Sequence, residues 1–145
     1  MEQLILHLFG DYVTQSDWMA SRKTTDSVAA AAHAIVYSLP FLFLGPSPLA
    51  FAVILSTHFL IDRFRLARYV CYAKNYLAPA WTMEYRWVSE TDTYVREPKH
   101  WWYRWVDCET TGYHKSRPDW LAVWLLIAAD NTLHLAINHL ALRFL

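Results

Sequence analysis

Histidine and aspartate recur four residues apart at three places in this chain: His7 with Asp11, His58 with Asp62, and Asp130 with His134. On a helix such residues project from one face, so each pair can meet a common partner. All three pairs lie in apolar stretches, as does a further histidine, His33. An ionisable group is costly there unless it has a partner or a job. With seven His and eight Asp in 145 residues, random placement gives about one such pair. Neutral imidazole and carboxylate are ligands for zinc, iron or manganese. Helical bundles hold such ions by aiming ligands inward from facing helices. The expectation is one or two divalent ions held by His7, His33, His58, Asp62, Asp130 and His134. Asp11 or Asp62 would serve as general base or orient a histidine.

Against this stands a plainer reading, a structural hydrogen-bonded network, because a lone histidine on an apolar face is usually a satisfied core residue. His139 lies off the face of His134 and reads as structural or interfacial. His100 and His114 fall in a polar region and are not expected to be ligands. Cys71 and Cys108 match neither a disulfide framework nor a zinc site and read as two free thiols. Gly10, beside Asp11, costs about 1 kcal/mol relative to Ala inside a helix, so close packing or access to the site is expected there.

Four helices must position these groups. Glu2 to Val13 has helical period but is too short to span a bilayer. Ser27 to Leu44 is a nearly uncharged run, with Asp26 or Ser27 as N-cap and Pro40 as a kink. Gly45-Pro46-Ser47-Pro48 is a turn. Pro48 to Ile61 is apolar again, and its pattern can continue helically through Tyr72, making an antiparallel hairpin with the preceding helix. Pro118-Asp119 opens a long apolar helix, Trp120 to Leu142. Between them, Lys74 to Arg117 is polar and aromatic, without repeat or assignable secondary structure, and reads as a lid or small cap.

The chain is 55% hydrophobic and 18% charged, with Lys+Arg 13 against Asp+Glu 13. Soluble domains carry about a quarter charged residues. Neutral balance gives no drive toward nucleic acid, and none is expected as a partner. Eight Trp suit a membrane–water interface. Met1-Glu2-Gln3 has no basic region of the kind that starts a secretory signal. The expected fold is an all-α integral membrane bundle over 1–145, with about three spanning helices, a short N-terminal helix and an aromatic insert, 74–117. Arg22 and Lys23 precede the second helix, and Arg63, Arg65 and Arg68 follow the third. The positive-inside rule puts both ends at the cytoplasm, so the protein is expected in the inner membrane as a multi-pass chain. His33 and His58 then reach similar depth in the cytoplasmic half. Trp101-Trp102-Tyr103-Arg104-Trp105 could stack on a base or sugar, but is read as an anchor at lipid headgroups. The insert's Arg and Lys could bind a phosphate-bearing substrate.

The stretch His7-Leu8-Phe9-Gly10-Asp11-Tyr12-Val13-Thr14-Gln15, followed by Trp18-Met19-Ala20 and Lys23, resembles the start of a family of small bacterial and phage membrane proteins, domain of unknown function 3307. His33-Ala34, Ser56-Thr57-His58-Phe59-Leu60-Ile61-Asp62 and Asp130-Asn131-Thr132-Leu133-His134 resemble its later blocks. The family pattern carries Gln where this chain has Asn131, and the insert is long for it. The family is distantly similar to membrane-bound metal-dependent hydrolases. The resemblance implies a hydrolase acting on a phosphoester or other ester at the cytoplasmic membrane face. The alternatives are a non-enzymatic phage or bacterial membrane protein with a structural His/Asp network, and a helical nucleotide-binding module.

Overall fold

The computed structural model describes residues 2–78, 83–88, 90–98 and 104–145, with backbone alone at 83–88 and 94–98. The chain is helical, with one two-stranded hairpin among the described residues. Helix α1 (Glu2–Leu8) runs into a π-helical turn, Phe9–Val13, closed by Thr14 N–H to Phe9 O at 3.1 Å. Short α2 spans Asp17–Arg22, with Ser16 as N-cap to Met19 N–H. Asp26 caps α3 (Ser27–Ser38) by accepting from Val28 N–H. Pro40 lacks an N–H and cannot continue an α-helix. The chain tightens to a 3-10 helix over Leu39–Leu44 and stops at Gly45 with φ 62°.

Ser47 caps α4 (Pro48–Phe64), with Pro48 at the first position, where its fixed φ suits a helix start. The helix expected to reach Tyr72 instead breaks at Arg65, whose φ is 51°. Arg65 N–H bonds Asp62 O at 3.2 Å and Leu66 N–H bonds Ile61 O at 2.9 Å. These left-handed closing bonds satisfy the last carbonyls, and a separate helix, α5 (Ala67–Leu77), follows. Periodicity alone could not see the break, since apolar spacing resumes after it. The final helix, α6, spans Asp119–Phe144.

Two compact units result: residues 1–66 with 130–145, and residues 67–129. In the first, α3 packs along α4. The buried stripe of α3 and its 3-10 extension is Ala30, His33, Ala34, Tyr37 and Phe41, and that of α4 is Ala50, Ile54, His58, Ile61 and Asp62. Tyr37, Phe41, Ala50, Ile54 and Ala141 form the apolar core. Complete burial of side chains such as Phe41 and Ile54 stabilises by about 1.5–3 kcal/mol each. Gly10 explains how the π turn reaches this core. A Cβ there would lie 2.7 Å from Tyr37 Cδ2 and 3.0 Å from Tyr37 O.

The second unit contains α5, the hairpin β1 (Met83–Val88) and β2 (Thr93–Pro98), and a 3-10 turn at Trp105–Asp107. The strands pair antiparallel, Val88 opposite Thr93 through Met83 opposite Pro98. No secondary structure was expected here. The segments carry β-favouring aromatic and branched residues, but their connection has no Gly to signal a hairpin. Cys71, Tyr113 and Ala122 form this unit's core, and Cys71 and Cys108 are buried and not joined in a disulfide. Gly112 packs where a Cβ would meet Arg68 O and Cys71 Cβ. Tyr69 stacks on Trp105 at 4.8 Å. His100 and Trp101-Trp102-Tyr103, the centre of the expected anchor, lie outside the described residues.

Two segments, Ser27–Leu44 and Asp119–Phe144, are long and apolar enough to cross a membrane. The third expected span, α4, has 17 residues, a rise of roughly 26 Å against a hydrocarbon core of about 30 Å.

Candidate metal centre

The polar side chains that the π turn, α3, α4 and α6 turn inward meet at one place. His33 Nε2 lies 3.0 Å from His58 Nε2, 3.1 Å from Asp11 Oδ1 and 3.2 Å from Asp62 Oδ2. His58 Nε2 lies 3.6 Å from the same Asp11 oxygen and 3.3 Å from the same Asp62 oxygen. Asp11, His33, His58 and Asp62 are all buried, and each offers one ligand atom within 4.8 Å of the others. Metal bonds of about 2.1 Å put neighbouring donors about 3.4 Å apart in a tetrahedron and about 3.0 Å apart in an octahedron. The five separations given, 3.0–3.6 Å, lie close to this range.

A second group shares Asp62. His134 Nε2 lies 3.4 Å from Asp62 Oδ1 and 3.5 Å from Asp130 Oδ2, and these three residues also offer donors within 4.8 Å of one another. The two oxygens of Asp62 thus face different groups, Oδ2 toward His33 and His58, Oδ1 toward His134. Asp130 is the more open carboxylate, with its side chain 28% exposed.

Hydrogen bonding within the chain does not satisfy this arrangement. A ring nitrogen has one N–H or one lone pair, yet His33 Nε2 has four polar neighbours, the fourth being Lys23 Nζ at 3.2 Å. Asp62 Oδ2 is crowded too, with Lys23 Nζ at 2.9 Å and the two ring nitrogens at 3.2 and 3.3 Å, and His134 Nε2 lies between two carboxylate oxygens at 3.4 and 3.5 Å. Two imidazole nitrogens and two carboxylate oxygens match zinc, iron or manganese in donor type. The residues fit a divalent cation by donor chemistry and spacing.

His7, expected as a ligand, belongs to neither group. Its Nδ1 is 2.8 Å from the Tyr37 hydroxyl and its Nε2 is 3.2 Å from Asn131 Oδ1. Asn138 Nδ2 donates to the same hydroxyl at 2.7 Å. With the hydroxyl hydrogen given to His7 Nδ1, the hydrogen on His7 sits at Nε2 and points to Asn131. The ring then holds the helix that carries Asp11, 3.6 Å away. Burial pushes the His7 pKa below its ordinary value, against the pull of Asp11. Burial would raise the Asp11 pKa, but the His33 hydrogen bond and the charges of His58 and Lys23 outweigh it, and the net shift is downward.

The Nδ1 atoms of His33 and His58 are buried without a hydrogen-bond partner among the described residues, so packing orients these rings. Tyr37 stacks on His58 with centroids 3.5 Å apart and planes at 12°. Sequence reasoning missed three contributors. Tyr37 and Asn138 follow His33 and His134 by four residues, the same spacing that picked out the His/Asp pairs. Lys23, whose Nζ is 2.9 Å from Asp62 Oδ2, lies past the end of α2, where spacing carries no signal. His139 is exposed and lines an open groove with Leu4, Leu135 and Leu142. His114 bonds Ser116 Oγ at 2.8 Å, in the other unit.

A family model described as Protein of unknown function (DUF3307) matches residues 1–81, more than half of the chain and the part that carries Asp11, Lys23, His33, His58 and Asp62. No curated protein and no solved structure matches.

Proposed function

Since the chain belongs to the family described as Protein of unknown function (DUF3307), we propose from its site that it is a metal-dependent hydrolase of a phosphoester or other ester at the cytoplasmic face of a membrane. The observation that carries the reading is the set of four buried donors, 3.0–3.6 Å apart in the five separations given above. A divalent ion held by such donors supplies a Lewis acid and acidifies a bound water toward neutrality.

His33, His58, Asp11 and Asp62 are the holding residues. In this reading Asp11 and Asp62 are held too tightly to be the general base, because Asp11 Oδ1 already faces two ring nitrogens and Asp62 Oδ2 two ring nitrogens and the Lys23 ammonium. Asp130 takes that role. Its carboxylate has solvent access and a single ring partner, His134, so a proton taken up at Asp130 Oδ2 has a route out to water. Tyr37, Asn138 and His7 keep the helices in register around the site.

Membrane embedding is supported by the two apolar segments and by what they expose. Leu39, Leu42 and Phe43 on one, and Trp120, Trp124 and Leu140 on the other, face outward, Phe43 at 90%. Large apolar side chains left exposed along apolar helices suit a membrane-facing surface. In this reading α4 crosses beside α3 as the third span of a multi-pass inner-membrane protein, by local thinning of the bilayer.

The test is metal content, with hydrolysis of p-nitrophenyl phosphate, for the parent protein and for Asp130→Asn. The parent is expected to hold a divalent ion and to turn over. Asp130→Asn should keep most of the ion and lose turnover by about 100-fold or more, the usual worth of a general base. A parent without bound metal sinks the proposal.

A further inference from the structure

We infer that Lys23 is a displaceable counter-cation of this centre, and that its ammonium, once displaced, recognises a phosphate-bearing substrate. The inference rests on the metal reading above and deepens it by naming the charge class of the substrate. Lys23 Nζ sits 2.9 Å from Asp62 Oδ2 and 3.2 Å from His33 Nε2. The single lone pair of His33 Nε2 can serve an ammonium hydrogen or a metal ion, not both. Cation binding at His33 therefore expels Lys23 from it, and repulsion between the two cations acts in the same direction.

The local structure lets the side chain move while the backbone stays. Lys23 N–H bonds Met19 O at 2.9 Å. The next residue, Thr24, gives its carbonyl to Arg63 Nη1 at 2.9 Å, and Arg63 Nε donates to Ser27 Oγ at 3.0 Å. Arg63 directly follows Asp62, so the turn bearing Lys23 is pinned to the helix bearing the site. The Lys23 side chain is 19% exposed, the widest opening to solvent among the groups around Asp62 Oδ2, against 8% or less for Asp11, His33 and His58. A flexible four-carbon stem ending in three donors then hangs at the rim of the proposed metal centre. A dianionic phosphate ester gains a charge-assisted hydrogen bond there, whereas a neutral carboxylic ester gains much less.

Calorimetric titration of detergent-purified wild type, Lys23→Met and Lys23→Arg with Mn2+, followed by orthophosphate on the Mn2+-loaded proteins, tests this. Lys23→Met should bind Mn2+ about tenfold more tightly, since a competing charged hydrogen bond is gone, and phosphate about tenfold more weakly. Lys23→Arg should stay near wild type in both. Phosphatidic acid in nanodiscs distinguishes the sources: binding of it tighter than of orthophosphate, and dependent on Lys23, assigns a lipid headgroup, whereas preference for glycerol phosphate assigns a soluble ester. Weaker Mn2+ binding by natively folded Lys23→Met makes Lys23 a structural partner of Asp62 and overturns the inference, as does phosphate affinity equal in all three. Absence of Mn2+ binding in every protein overturns the metal reading itself.

Discussion

At Tyr37 three requirements meet in one side chain. Its ring lies flat on His58, and its hydroxyl accepts from Asn138 while lying 2.8 Å from His7 Nδ1. Tyr37→Phe keeps the ring and removes the hydroxyl, leaving Asn138 Nδ2 and His7 Nδ1 unpaired in a buried place. Stability should fall by about 1–3 kcal/mol, read as a lower midpoint in chemical denaturation, with metal content largely kept. His58→Ala acts differently, because it removes a donor. Metal affinity should fall by at least the roughly 10–100-fold typical of lesser changes around a metal. His114→Ala should leave affinity unchanged. The His/Asp spacing was legible because a helix converts i, i+4 into a shared face. The partners of each nitrogen were not, since they come from other helices. His7 shows the difference: its spacing to Asp11 marked it as a ligand, yet Tyr37 and Asn131 occupy its ring.

Caps and breaks decide where each element presents its face. The kink expected at Pro40 is a change to a 3-10 helix, whereas Asp26, Gly45 and Pro48 act where their chemistry says they should, so the start of α3 and the turn into α4 were legible. The π turn at Phe9–Val13 and the left-handed Arg65 were not, because neither residue type nor period announces them. Gly10 links this scale to the site. Alanine is the better helix former by about 1 kcal/mol, but at position 10 its Cβ would meet Tyr37 side chain and backbone within 3.0 Å. Gly10→Ala should therefore destabilise by about 1–3 kcal/mol, the usual cost of overpacking, and lower metal affinity by shifting Asp11. A gain in thermal stability would mean that the π turn does not seat against Tyr37. Ser47→Ala removes only the cap to Ala50 N–H and should cost about 1 kcal/mol without changing metal content.

For the whole molecule, charge and hydropathy carry the argument. The turn at Gly45 has no Lys or Arg, whereas both far ends of the hairpin do. An alkaline phosphatase reporter fused at Pro46 should be active outside the cytoplasmic membrane and inactive when fused at Leu66. Equal activity at both would remove the transmembrane hairpin. Helical class and the apolar runs were readable from the sequence. The hairpin within 74–117 was not, because its strands are short and the connection between them has no Gly to mark a turn. The central claim, that the chain folds a buried donor set for a divalent cation, comes down to stoichiometry. Detergent-purified protein, exchanged into metal-free buffer, goes to elemental analysis beside Asp62→Ala, which removes the carboxylate shared by both donor groups. The account predicts at least one tightly held zinc, iron or manganese per wild-type chain, as structural and catalytic sites of this donor type retain, and loss of that metal from the variant. A wild-type chain with no metal above background, or a variant that keeps all of it, contradicts the account.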